Sequence, residues 1–210
     1  MSESTVPPPG ISAADCPPSG RWWTFLHAEI LGWSVNAALV RSWPLPVYVA
    51  QASTGAREDI RDAIKEFLMT LGPQYAHAVS ESQHGANLEF LARDVSHRHR
   101  AALGHGALRI GTAQKALNLY LKFLWCVGRA AEPPHCPLDQ RMLALSPETA
   151  EVQWTQVIGI QEYERCIRAL KEVARAKSRS LAELELEVNP GIPSAVARRE
   201  RNTRRQGLRS

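Results

Sequence analysis

The stretch RIGTAQKALNLYLKFLW, residues 109–125, carries the pattern on which the fold assignment depends. It is apolar on nearly every side, so it predicts a helix of about 112–127 inside a hydrophobic core. Five polar residues interrupt or precede that apolar surface: Arg109, Gln114, Lys115, Asn118 and Lys122. Lys115, Asn118 and Lys122 follow helical spacing and share one face, which is either the exposed edge of the helix or the wall of a cleft.

The flanking sequence continues the helical pattern and predicts an all-α protein. Residues 22–39 predict a mostly buried helix. Further helices are expected at residues 57–71, 81–99 and 161–177. A capping box of Ser180 and Glu183 predicts a last helix that ends at about Val188, and Ser146-Pro147 predicts the start of a short helix. We therefore expect one compact multi-helix domain over residues 21–190, with a helix-hairpin-helix-like element.

The two ends of the chain differ from this domain. Residues 1–20 contain five of the 14 prolines, set among Ser and Gly, and they predict disorder. Residues 191–210 form a basic tail with six arginines and one glutamate, whereas the whole chain has a formal charge of +4. Such a tail favours polyanions, nucleic acid first, although a solvated end explains it equally. The arginines expected to make non-specific DNA contacts are Arg198, Arg199, Arg201, Arg204 and Arg205.

Composition argues against several classes of protein. No apolar run is long enough to span a membrane, and the N-terminus lacks the pattern of a secretory signal. The cysteines, at positions 16, 126, 136 and 166, show no zinc-site spacing, so we expect no metal and no other cofactor. These features favour a reduced, cytoplasmic setting and a monomer.

The turn GHGALRIGT, residues 104–112, joins two of the expected helices. Its glycines permit a tight turn, and Thr112 is a plausible N-cap. Amides at the start of a helix attract anions, so Arg109, Gly111 and Thr112 form a candidate phosphate site. Lys115 follows in the first turn, where the helix dipole and burial would favour its neutral, nucleophilic amine. An ordinary lysine with its amine in solvent explains the same residue.

A second candidate group follows a run of prolines. Asp139 ends the segment PPHCPLD, residues 133–139, and the apolar residues after it predict a short helix. The carboxylate can cap that helix or serve as a positioned catalytic group. His135 and Cys136 beside it are too few ligands for a metal site.

The order of these features resembles the helix-hairpin-helix superfamily of DNA glycosylases. A glycine-containing turn is followed by a helix with an early lysine and then by a proline-rich loop that ends in aspartate. The similarity covers about residues 104–145, although the chain keeps only the second of the family's two hairpin glycines. The resemblance implies that the turn at Gly111 grips the DNA backbone, that Asp139 is the catalytic carboxylate, and that Lys115 is the nucleophile if lyase activity is present.

The resemblance implies an enzyme that extrudes a damaged or modified base and cleaves its N-glycosidic bond, leaving an abasic site. Attack by the lysine would add strand cleavage through a Schiff base. The base-pocket candidates are Trp125, Trp154, Gln114 and Asn118, with Trp22, Trp23 and Trp33 as further aromatic candidates. Oxidised, alkylated and virally modified bases all stay open, and the last would suit phage defence. The alternative is a non-catalytic helical DNA-binding or interaction protein that uses the hairpin and the tail.

Overall fold

The computed structural model describes residues 20–40 and 45–189, and these residues form seven α-helices without a β-strand. The helices are α1 (Gly20–Val40), α2 (Thr54–Leu71), α3 (Glu81–His99), α4 (Ile110–Cys126), α5 (Gln140–Leu143), α6 (Ile160–Ala176) and α7 (Leu181–Val188). With 69% of these described residues helical, the all-α prediction is confirmed. The predicted N-terminal disorder, up to residue 19, and the tail with Arg198, Arg199, Arg201, Arg204 and Arg205 lie outside the described residues.

α4 is the central helix, as its nearly continuous apolar sequence predicts. It packs against α1 along much of its length and also contacts α2, α3 and α6. Leu117 and Leu121 at its middle are fully buried. Truncating one such leucine to alanine typically costs about 2–5 kcal/mol, so this helix sets the positions of the elements around it.

Side-chain caps fix where several helices begin. The capping box predicted before α7 is confirmed. The backbone amide of Glu183 donates a hydrogen bond to Ser180 Oγ at 3.1 Å, and the backbone amide of Ser180 donates one to the Glu183 carboxylate at 2.9 Å. The helix expected at Ser146-Pro147 is instead a run of turns. There the Thr149 hydroxyl donates to the carbonyl of Leu143 at 2.6 Å, a local bond that competes with helical pairing.

α1 differs from the prediction of a mostly buried helix. Its inner face packs on α4 and α2, with Val35 and Ala38 fully buried. Its outer face leaves Trp22, Phe25 and Trp33 exposed by 69%, 65% and 59%. The sequence is apolar on both sides, but neighbouring helices cover only one of them. Among the described helices, none combines the length and the hydropathy that crossing a bilayer requires.

Candidate active site

The lysine of α4 and the aspartate before α5 meet in space. Lys115 Nζ lies 3.1 Å from Asp139 Oδ2, although the two residues are 24 positions apart. The side chains are 8% and 24% exposed, and both line one cleft of about 690 Å³. Tertiary packing therefore brings an amine and a carboxylate together in a partly dry site that opens to solvent.

Asp139 uses its two oxygens differently. Oδ1 accepts the backbone amides of Arg141 and Met142, each at 3.1 Å, and so caps α5, while Oδ2 faces Lys115. Burial raises the pKa of Asp139, but the Lys115 ammonium and the two amides lower it more, and the net pKa lies below the usual value. The residue is thus both a cap and a carboxylate that stays charged at the edge of the cleft.

Gln114 and Asn118 hold the loop that carries the aspartate. The Gln114 side chain donates to the carbonyl of Leu138 at 3.0 Å and accepts its amide at 2.9 Å. Asn118 Nδ2 donates to the carbonyl of Cys136 at 2.9 Å. Both side chains are fully buried, so they do not face the cleft as the base-pocket prediction requires. Instead they fix the backbone immediately before Asp139.

A neutral polar network lies behind that loop. Asn118 Nδ2 donates to the Tyr163 hydroxyl at 3.0 Å, and that hydroxyl lies 2.9 Å from His135 Nδ1. The rings of His135 and His84 meet edge to face with their centroids 4.7 Å apart. Burial lowers the pKa of each histidine to about 3, so both are neutral at physiological pH. The exposed Glu81 carboxylate lies 3.7 Å from His135 Nε2 and pairs with Lys171, so full charges border the loop on this side as well as on the cleft side.

The start of α4 does not present the predicted phosphate site. Arg109 is buried and donates to the carbonyl of Leu45 at 2.6 Å, rather than reaching solvent. Arg109, not Thr112, occupies the N-cap position, and Thr112 is buried within the first turn. The amide of Thr112 donates to the carbonyl of Arg109 at 3.0 Å. These groups are engaged inside the protein.

Gly111 serves close packing. Its amide donates to the carbonyl of Val157 at 2.8 Å, and a Cβ built at this position would lie 1.9 Å from the carbonyl oxygen of Trp154. The segment around Trp154–Gln156 therefore occupies the space expected for phosphate. A glycine needed for packing and a glycine needed for a ligand look alike in a sequence, which explains the difference from the prediction.

The tryptophans contribute unequally to the cleft. Trp154 is 8% exposed and does not line the cleft as the base-pocket prediction requires, although Lys115 Nζ lies 5.9 Å from the centre of its ring, within cation–π range. Trp125 is half-buried and does not line the cleft. Trp33 does line it, with its ring edge-on to Phe123 at a centroid distance of 6.4 Å. Trp33 and Phe123 therefore form the exposed aromatic wall.

A second ion pair borders the same cleft. Lys122 Nζ lies 2.6 Å from Glu185 Oε2, and the side chains are 13% and 3% exposed. Burial raises the pKa of Glu185 despite the lysine. Asn189 Nδ2 donates to Glu185 Oε1 at 3.2 Å, and Arg141 donates to Asn189 Oδ1 at 3.2 Å. This chain ties α7 to α5 around the opening.

Sequence reasoning missed Phe123 and Glu185. Helical spacing from Lys115 could have placed Phe123 on the cleft face, since they are eight residues apart on α4. No local signal marks Glu185, which reaches the site from α7 through tertiary packing.

The donor chemistry of the cleft is that of amines and carboxylates. Within residues 20–40 and 45–189, no group of three or more His, Cys, Asp or Glu side chains is arranged to hold a metal ion. Burial raises the pKa of the Cys136 thiol, which keeps it protonated behind the loop. No protein-family model matches the chain, and comparisons with curated proteins and with solved structures find no significant match.

Proposed function

We propose that this protein is a DNA N-glycosylase that removes a damaged or modified base, with Asp139 and Lys115 as its catalytic pair. The observation that carries the proposal is the 3.1 Å contact between the Asp139 carboxylate and the Lys115 amine at the wall of an open cleft. At about 690 Å³ the cleft falls within the usual range of small-ligand pockets, about 300–1,000 Å³, so an extruded base fits its size.

Asp139 suits the charge that develops when an N-glycosidic bond breaks. The departing base leaves positive charge on the sugar, and a nearby carboxylate stabilises that state. The lowered pKa keeps Asp139 ionised, and the two amides on Oδ1 hold it in place before the substrate arrives. Oδ2 faces the cleft side of the loop, where C1′ of an extruded nucleotide would come.

Lys115 allows two routes. If water attacks C1′, the product is an abasic site and the lysine stays an ammonium that orients the carboxylate. If the amine attacks, it must first lose a proton, and the resulting Schiff base permits strand cleavage by β-elimination. The ion pair favours the first route, because an ammonium paired with a carboxylate is not a nucleophile.

The cleft wall also supports recognition of a base. Trp33 and Phe123 offer aromatic surface on which an extruded base can stack. The exposed cation Arg141 stands at the rim, where a backbone phosphate would pass. Because the turn at Gly111 is engaged inside the protein, backbone contact falls to rim cations such as this one and, we propose, to the arginine tail.

The decisive experiment is mass spectrometry of the free bases that the full-length protein releases from ordinary, oxidised, alkylated and virally modified DNA. We expect one class of base to be released by the wild type, and its release by Asp139→Asn to be about 10²- to 10³-fold slower. DNA affinity should be retained or raised in that variant, because one negative charge is removed. Release from none of these DNAs would overturn the enzymatic proposal.

The alternative function is that of a non-catalytic DNA-binding or interaction protein. The observation that favours it is the helix cap, since Oδ1 of Asp139 bonds the start of α5 whether or not chemistry occurs. On that alternative, Asp139→Asn lowers thermal stability, and neither the wild type nor the variant releases a base.

A further inference from the structure

The outer face of α1 carries a row of exposed aromatic side chains that extends beyond the cleft. Of the seven large hydrophobic side chains that are exposed in the described residues, four lie on this helix: Trp22, Phe25, Trp33 and Val40. Exposed apolar residues scattered singly need no explanation, but such a concentration on one helix marks a surface that contacts something else.

The row is continuous with the cleft. Trp22 and Trp33 are eleven residues apart, close to three full helical turns, so they point the same way and are separated by about 16 Å along the axis. Trp33 and Val40 line the cleft, whereas Trp22 and Phe25 lie beyond it toward the start of the helix. A ligand that enters the cleft beside Trp33 can therefore continue along α1.

We propose that this row binds a single-stranded segment of nucleic acid, whose bases stack on Trp22, Phe25 and Trp33 while one nucleotide occupies the cleft. The inference rests on the proposed function, because the strand enters from the same cleft. Aromatic side chains are sequence-tolerant platforms for successive bases. The distance of about 16 Å matches about five stacked nucleotides at 3.4 Å each.

The charged side chains near the row are compatible with a single-stranded nucleic acid whose bases face α1. The Arg21 guanidinium lies 5.4 Å from the centre of the Trp22 ring, and that of Arg129 lies 4.7 Å from the centre of the Trp23 ring. Arg21 therefore adjoins the row itself, where phosphates would run, and Arg129 lies over the next ring along the helix. Half-buried Glu29 lies on the same face and repels phosphate, so it keeps the backbone away from the middle of the helix.

Other occupants fit the row less well. An apolar helix from a second copy, or a lipid surface, favours an uninterrupted apolar stripe. Here Glu29 and exposed Asn36 alternate with the rings along the same face. Bases tolerate such polar groups, because each base stacks on one ring and keeps polar edges of its own.

The test measures binding without base release. Fluorescence anisotropy of a labelled oligothymidine of about ten nucleotides would report the affinity of the full-length protein, at salt high enough to weaken phosphate contacts. We expect Trp22→Ala/Phe25→Ala to weaken binding at least about tenfold. The matched control, Met69→Ala/Ile158→Ala, removes two exposed apolar side chains elsewhere and should change the affinity less than about twofold.

A variant of opposite sign sharpens the test. Glu29→Gln, compared with the wild type at low salt, removes the acid from the row and should tighten binding about twofold to threefold, because one unfavourable charge is lost. Trp22→Ala/Phe25→Ala with unchanged affinity would overturn the proposal. So would a wild-type dimer that this double variant dissociates, or binding to phosphatidylglycerol vesicles without binding to the oligothymidine.

Failure of the surface and failure of the proposed function give different results. If no DNA releases a base but the double variant still weakens oligothymidine binding, the strand surface stands and the glycosylase activity does not. If bases are released and the double variant binds like the wild type, the surface fails and the activity stands.

Discussion

α4 presents two lysines to one cleft, two turns apart, and each is paired with a carboxylate from later in the chain. Lys115 lies 3.1 Å from Asp139, and Lys122 lies 2.6 Å from Glu185. The pKa of Asp139 is lowered, whereas burial raises that of Glu185. Asp139 also accepts two backbone amides, while Glu185 is almost wholly enclosed on α7. The pKa values of the two carboxylates thus shift in opposite directions, because backbone amides stabilise the charged form of Asp139 whereas burial destabilises that of Glu185.

This difference separates two roles. A partly exposed carboxylate that resists protonation suits the stabilisation of a passing positive charge. The buried Glu185 carboxylate is compensated by one lysine and one side-chain amide, and such a group is suited to holding helices together. On the proposed function, Asp139 acts on the substrate and Glu185 holds the wall in place.

The largest expected effect comes from neutralising each carboxylate in turn. We expect Asp139→Asn to slow base release about 10²- to 10³-fold, as the removal of a group that stabilises transition-state charge does. Glu185→Gln keeps the shape of the wall and should slow release less than about tenfold. Single-turnover rates on the identified DNA substrate check both, and equal losses would mean that the two pairs share one role.

Replacing each lysine gives the next effect. Lys115→Gln should slow base release about 10²-fold, because Asp139 loses its partner, whereas Lys122→Gln should act mainly on stability. Borohydride added during the reaction tests for a Schiff base on Lys115. From the resting ion pair we expect release without a trapped complex. A complex trapped with the wild type and Lys122→Gln, but not with Lys115→Gln, would establish amine attack instead.

The two pairs also differ in how far the sequence predicts them. Helices α2, α3, α6 and α7 lie near their predicted positions because apolar spacing and serine caps are local signals. The family resemblance implies that Lys115 and Asp139 share one catalytic site, although they are 24 positions apart in the chain. Glu185 has no such marker, since its approach to Lys122 depends on how α7 packs on α5 and α6.

The polar residues of α4 show a second limit. Gln114 and Asn118 look in the sequence like the wall of a pocket, because they share helical positions near Lys115. In the structure they are fully buried and bond the loop backbone. Periodicity identifies a polar position in an apolar helix, but it cannot say whether the partner is a ligand or another segment of the chain.

Removing the loop clamp gives a smaller effect, on stability. Gln114→Leu leaves the amide and carbonyl of Leu138 without their side-chain partner, and we expect a loss of about 2 kcal/mol. Gln153→Leu, at an exposed position, is the matched control and should change stability by less than about 0.5 kcal/mol. Urea denaturation measures both, and equal stabilities would show that the loop does not depend on this clamp.

The smallest effect, and the most direct comparison of the pairs, is a difference in pH dependence. Asp139 has a lowered folded-state pKa, so its stabilisation is complete above the unfolded value near 3.8 and is lost as pH falls through the folded pKa. Glu185 has a raised folded-state pKa, so its contribution to stability is complete below the unfolded pKa of about 4.5 and is lost as pH rises through the folded pKa.

Two sets of urea titrations between neutral pH and pH 3 would separate these signs. As pH falls, the stability of the wild type relative to Asp139→Asn should shrink, whereas its stability relative to Glu185→Gln should grow. His84 and His135, with pKa values of about 3, lower the stability of the wild type and of both variants equally below about pH 6.5. Their effect therefore cancels when the stability of a variant is subtracted from that of the wild type. Parallel trends would mean that both carboxylates are held alike, and the division between a catalytic pair and a structural pair would fail.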